Sequence, residues 1–481
     1  MKTNHIFDLL FPVMLLCTGC DDFLDESPRG NAIAETTEEY EQLFNDSQGF
    51  NMLFAEQYYT LWKSDDLIFT DDCFNSIAMA SSFPSSVQAA IEYKDVIYRE
   101  DETTPEWEQC AKQIYRFNVI ANGINSAKGP ESDKKLIQAE ARVCRAYMHF
   151  LLAQWYAMPY NENTADVEKA IPIVTEADTQ ITYYERATVK ELYDWIVAEM
   201  EEFCPDLEVR TEHRMRCYQP TGYALLGKVY FNMGKYDKAL SALRKAFNAL
   251  QGDANVFLTN HRTKQSAYNY TEIPMMSLSS YVPFPYRDNE VLFCRCGMGG
   301  RQYYPLYYGT QPTDFLKPEI YALFDVHDLR RNMICTKDIN GKEYPYPTST
   351  FVGSMTNVGC TLPEVYLMLA ECEARVGSEN NARTILKDFR STRMMEGYED
   401  LPSSVTTKDE LIRFCVEEQT REFAGTGYRF YNVRRLWNDP LFQDWKPITH
   451  TVGDKVFTMK ESQLKTQFPE TVLIWNENWR E

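Results

Sequence analysis

Two stretches of this chain carry the same spacing of small and large residues after a glycine. In GYALLGKVYFNMGKYDKALSALRKAF, Gly234 is followed by Ala239, Leu243 and Ala246. Later in the chain, Gly377 is followed by Ala382, Leu386 and Phe389. The offsets are +5, +9 and +12 in both stretches. The residues before the glycine also correspond, with Leu226-Gly227 in one and Leu369-Ala370 in the other. Small residues at these positions let two helices approach closely, the rings of Tyr230 and Tyr236 fill the space beside them, and Gly234 permits the tight turn between them. A helix pair of this kind cannot bury its apolar face alone, so it must stack on others. The spacing therefore predicts a mainly α chain built from stacked helix pairs, with further, less regular copies around 106–160 and 188–204.

The repeated pattern is that of tetratricopeptide-like helix pairs. The surrounding sequence agrees. Segment 133–157 places Leu136, Val143, Ala146, Tyr147, Phe150 and Leu151 at helical spacing, and Pro159 ends it. Segment 188–204 opens on the capping box Thr188-x-x-Glu191, continues with Leu192, Ile196 and Met200 on one face, and stops at Pro205. Between the two repeats, 251–360 changes character. YVPFPYRDNE, GMGGRQYYPLYYGTQP and EYPYPTSTF are interrupted by Pro or Gly too often for continuous helix. A loop-rich insertion in a helical frame is a common seat of function.

Composition narrows the function classes. With 49 Lys+Arg against 70 Asp+Glu the formal charge is −21, which argues against a phosphate-binding surface and hence against nucleic acid as partner. There is no H-E-x-x-H, no G-x-S-x-G and no P-loop, so the chain reads as a non-enzyme without a cofactor. The acids leave room for a structural calcium, although no D-x-D-x-D-G loop is present. Cys294 and Cys296 are the closest cysteines after the N-terminus, and C-x-C without a second Cys/His pair is a weak metal signal.

The N-terminus carries an address. Lys2, the apolar run Leu9 to Leu16 and then Cys17-Thr18-Gly19-Cys20 describe a secretory signal whose apolar segment is too short to span a bilayer. The Thr-Gly-Cys ending resembles a bacterial lipoprotein signal, with 1–19 as signal peptide and lipid on Cys20. Asp8 interrupts the apolar run, and Cys17 stands where Leu is usual. Of the 13 cysteines, removing Cys17 and assigning Cys20 to lipid leaves eleven, expected as buried or half-buried thiols. Residues 20–36, beginning CDDFLDESP, read as an acidic tether.

Six segments, in order, resemble the SusD/RagB family of Bacteroidetes outer-membrane lipoproteins. They are the start CDDFLDESPRG, AEARVCRAYMHFLLAQWYAMP, the GYALLGKVYFNMGKYDKAL repeat after ELYDWIVAEMEE, FLKPEIYALFDVHDLRR, LPEVYLMLAECEARVG and REFAGTGYRFYNVRRLW. The last departs from the family's Glu-Leu-x-Phe-Glu-Gly-x-Arg, with Gly425 and Thr426 in place of Phe and Glu. The turn after the Arg-Ala-Tyr helix reads Ala157-Met158-Pro159 where Gly is usual. The resemblance implies a SusD-like α-α superhelix holding a loop-rich half, with an N-terminal helical-repeat region at 37–250 and a C-terminal SusD/RagB region at 251–481 in one structural unit. It implies a lipid-anchored protein on the outer membrane, facing the cell exterior. Such a protein captures oligosaccharide or polysaccharide for a SusC-like TonB-dependent transporter. Peptide capture by a RagB-like subunit and a non-catalytic repeat scaffold are the alternatives.

Glycan capture needs ring faces flanked by hydrogen-bonding groups. The tract Arg301-Gln302-Tyr303-Tyr304-Pro305-Leu306-Tyr307-Tyr308 has that composition, preceded by Gly297, Gly299 and Gly300. Trp62 with Asp65, in Tyr58-Tyr59-x-x-Trp62-Lys63-Ser64-Asp65-Asp66, is a second candidate, and Tyr281 with Tyr286 a third.

Overall fold

Helices stack in chain order. We label those that build the frame α1 (Pro105–Gly123), α2 (Glu131–Tyr156), α3 (Val189–Phe203), α4 (Gln219–Asn232), α5 (Tyr236–Leu250), α6 (Leu362–Val376), α7 (Glu379–Ser391), α8 (Lys408–Glu422) and α9 (Tyr428–Leu436). The computed structural model describes residues 34–45, 52–55, 59–80, 84–102, 104–178, 180, 183–210, 213–265, 288–298, 314–337, 341–349 and 355–480. The pairs α1–α2, α4–α5 and α6–α7 are helical hairpins, α3 packs on α2, and α5 packs on α6 although 251–361 separate them in sequence. The expected copies at 106–160 and 188–204 are thus the first hairpin and the helix that continues the stack.

Local signals explain the boundaries. Thr188, Thr361 and Thr407 each accept from the N3 backbone while Glu191, Glu364 and Glu410 bond back, so α3, α6 and α8 all begin on capping boxes. Gly234 ends the α4–α5 turn at φ +71°. Gly227 is where α5 comes closest: a Cβ there would lie 2.6 Å from Leu243 Cγ. Gly377 has the same register but another job. Its φ is −105°, so the turn needs no left-handed residue. A Cβ there would instead meet the Glu373 carboxylate and, at 3.0 Å, Leu240 Cδ2, where α5 stacks on the α6–α7 hairpin.

The stack is apolar inside, with a few buried ion pairs across it. Arg142 Nε and Arg145 Nη2 of α2 both hold Glu199 of α3, at 2.6 and 2.8 Å. Arg330, fully buried, joins the insertion to α8 through Glu418 (2.6 Å) and Glu422 (2.9 Å). Tyr147, the tyrosine of the Arg-Ala-Tyr helix, reaches the Val358 and Gly359 carbonyls at 2.6 and 2.8 Å and so ties α2 to the same insertion.

The insertion is loop with short strands. Its strands are β3 (Val291–Phe293), β4 (Cys296–Met298), β5 (Phe315–Leu316), β6 (Ile334–Lys337), β7 (Glu343–Ser349), β8 (Met355–Asn357) and β9 (Cys360–Thr361), and two strands from before the frame helices, β1 (Met52–Ala55) and β2 (Leu67–Ile68), join them. They pair as β1-β4-β8, β2-β5, β3-β9 and β6-β7.

A candidate ligand-binding face

The small β1-β4-β8 sheet brings distant segments to one edge. β1 runs parallel to β4 with Ala55 opposite Met298, and β4 runs antiparallel to β8 with Met298 opposite Met355. The chain therefore leaves β1 at 56, leaves β4 at 299 and enters β8 from 354 at the same end of the sheet. The tyrosine-rich tract starts from that end. It returns at Asp314, where β5 pairs with β2 (Ile68 with Phe315, Leu67 with Leu316) and Lys317 N–H donates to the Asp66 carbonyl at 3.0 Å. Both anchors of the tract are thus fastened to the segment 55–68.

That segment is foundation, not platform. Trp62 is 2% exposed and packs 6.4 Å from Phe69, so it offers no ring face to a ligand; its place in this face is corrected to core. Asp65 is corrected likewise. It is 9% exposed and accepts Arg429 Nε at 2.8 Å. Burial pushes its carboxyl up, and the Arg429 guanidinium more than reverses that, holding it below the ordinary carboxylate value. Arg429 in turn lies 3.5 Å over the Trp445 ring. Burial raises the neighbouring Asp66, whose Oδ2 accepts the Gly425 N–H at 2.7 Å. Gly425, which stands where the family motif has Phe, and Gly427, the motif's own Gly, sit at φ +69° and +86°, left-handed conformations that favour glycine.

Lys63 and the backbone of Ser64 are also committed. Lys63, 4% exposed, donates to the Lys465 carbonyl at 3.1 Å, and burial with the nearby Arg434 charge pushes its pKa down to about 7. His450 lies between the Ile91 and Ser64 carbonyls (2.9 and 2.7 Å) and stacks on Tyr93 at 4.4 Å between centroids.

Tyr281, Tyr286, Arg301, Tyr303, Tyr304, Tyr307, Tyr308 and the lipidation candidate Cys20 lie outside the described residues. Two rings that composition did not single out stand next to the tract's return point. Tyr344 and Tyr346 on β7 are half-buried, with centroids 5.8 and 6.1 Å from Phe315. The signal was the alternation Tyr-Pro-Tyr, since a period of two puts both rings on one face of a strand.

Chemistry among the described residues is sparse. No group of three or more His, Cys, Asp or Glu is placed to hold a metal there. Ten cysteines are free thiols, nine of them buried, and burial pushes Cys73 and Cys335 up to about 11. Thiols raised in this way are poor nucleophiles. No described helix is long and apolar enough to cross a membrane.

Comparison with known proteins agrees with this architecture. Residues 22–231 match a SusD-like family model described as starch-binding and associating with the outer membrane, and 362–476 match the SusD family model. A SusD superfamily structure from Bacteroides thetaiotaomicron VPI-5482 superposes with a TM-score of 0.67 at 17% identity, covering 92% of this chain and 98% of that one. A SusD superfamily structure from Bacteroides fragilis gives 0.67 at 16% identity, with 94% and 100% covered. A laminarin-binding SusD-like protein gives 0.60 at 17% identity, with 92% and 98% covered. No curated protein matches the sequence.

Proposed function

The chain belongs to the SusD/RagB family, and from that premise we propose that it captures oligosaccharide or polysaccharide at the cell surface and delivers it to a SusC-like TonB-dependent outer-membrane transporter. Lipid on Cys20 and the acidic residues after it would hold the protein outside the cell on a short leash.

The observation that carries this reading is the convergence at one sheet edge. The described residues flanking the tract that holds Tyr303, Tyr304, Tyr307 and Tyr308 pair with Ala55 on one side and with Leu67 and Ile68 on the other, with Tyr344 and Tyr346 beside the return point. Rings presented from a fixed base suit the C–H faces of sugars, and Arg301 suits their hydroxyls. Several shallow contacts between rings and sugar C–H faces give moderate affinity. Moderate affinity suits a protein that must release its cargo. A laminarin-binding protein of the same fold supports a glycan as the ligand class.

Calorimetry on residues 21–481 tests the reading, with plant, fungal, microbial and host glycans set against a pool of peptides. Saturable heat with one glycan class is the expected result. Heat with the peptides alone would replace the glycan reading by peptide capture. Heat with neither would leave a repeat scaffold that binds only its protein partner.

A further inference from the structure

A cavity of about 190 Å³ is walled by α2, α4, the start of α6 and α9, with Asn357 of β8 also in its lining. It far exceeds the roughly 10–15 Å³ that admits one water, and falls below the roughly 300 Å³ at which pockets for drug-sized ligands begin. We propose that it binds one neutral, polyhydroxylated molecule of monosaccharide size. The proposal is independent of glycan capture at the loop face.

The charges in the wall cancel each other. Lys228 Nζ donates to Glu364 Oε1 at 2.7 Å and to the Gly359 carbonyl at 2.9 Å. Arg435 gives both terminal nitrogens to Glu371, at 2.8 and 2.7 Å. A charged ligand would have to break one of these pairs in a buried place, which is expensive. A neutral one would not.

Hydrogen-bonding capacity is left over beside those pairs. The amide of Asn432 accepts Arg435 Nε on its oxygen at 2.9 Å, and because arginine can only donate, this fixes which way the amide points. Its Nδ2 then has no partner, although Asn432 is 1% exposed. A buried donor without an acceptor is costly, and a ligand hydroxyl would satisfy it. Gln154 spends its nitrogen on the Tyr193 hydroxyl at 2.9 Å, leaving its carbonyl oxygen as an acceptor. Donor and acceptor together suit hydroxyls, which do both. Phe231, Tyr428 and Tyr431 line the cavity; Arg435 covers one face of Phe231 at 4.2 Å and Phe423 one face of Tyr428 at 4.3 Å, so a pyranose would lay its C–H groups on the opposite faces. Thr426 lines the cavity and is half-buried, so a large side chain there would fill it.

Ligand-observed NMR and calorimetry on the full-length chain decide it. The probes are D-glucose, D-galactose, D-mannose, D-xylose and N-acetyl-D-glucosamine, with D-glucuronate as the charged comparison, each at about 10 mM, where a 1 mM site is mostly filled. One neutral sugar should saturate a single site. Asn432→Asp keeps the acceptor for Arg435 and removes the donor, and should weaken that sugar about tenfold. Thr426→Trp should fill the cavity and abolish binding without unfolding the chain. Tyr304→Ala, in the loop tract, should leave monosaccharide binding unchanged, which separates this site from the face. No saturable neutral sugar, a sugar indifferent to Thr426→Trp, or glucuronate bound as tightly as the neutral sugars would overturn the proposal.

Discussion

Asp65 and Arg429 are 364 positions apart in sequence and 2.8 Å apart in space. Losing either side leaves the other charge buried and alone, so Arg429→Met should cost about 3–5 kcal/mol, read from denaturant midpoints; a loss under about 1 kcal/mol would mean that the pair is solvated. His149 gives a pH dependence. Its Nδ1–H donates to the Arg145 carbonyl at 2.9 Å and its Nε2 accepts the Val174 N–H at 3.0 Å, which only the neutral ring can do. Burial pushes its pKa from 6.5 to about 4. On acidification the unfolded chain takes up this proton first. The stability His149 contributes is therefore complete above pH 6.5 and is lost as pH falls through about 4, up to about 3 kcal/mol. His149→Gln, which keeps a donor and an acceptor and does not titrate, should reduce the slope of melting temperature against pH across that window, leaving the like contribution of His450, and an unchanged slope would refute the assignment. This is also the scale at which sequence reading failed. Trp62-Lys63-Ser64-Asp65-Asp66 has the composition of an exposed platform. Its partners Gly425, Arg429, His450 and Lys465 arrive from the far end of the chain, where no local pattern reports them.

Helices were legible because their signals are local. The capping box at Thr188, the stop at Pro205 and the spacing after Gly234 each act within a turn or two of themselves. The close approach at Gly227 makes a direct test. Gly227→Ala should cost about 1–3 kcal/mol of overpacking. Leu243→Ala in the same chain should return part of that loss, because the added methyl and the removed side chain compete for one space. Additive losses in thermal melts would mean that the helices are not in contact there. Strands were less legible. EYPYPTS reads as broken by proline, yet it forms β7, whose one partner among the described residues is β6, and such an edge tolerates proline. Pairing of that kind is set by a partner elsewhere in the chain.

At the scale of the whole molecule, the order of six motifs anticipated the fold, because stacked helix pairs leave few ways to assemble. The repeats stack across the insertion, α5 on α6, and the insertion is then held from several sides by Tyr147, Arg330 and the short sheets. Which sugar is taken lies in ring placement within a loop, and composition shows only that the rings are there. The account assigns capture to that loop and rigidity to everything beneath it. The most direct test is affinity electrophoresis in a gel containing the glycan class found by calorimetry, comparing the wild-type protein with a variant in which Tyr303, Tyr304, Tyr307 and Tyr308 are all Ala. Retardation should disappear while the melting temperature stays within a degree or two of wild type, about what surface substitutions cause. A folded variant retarded as strongly as wild type would contradict it.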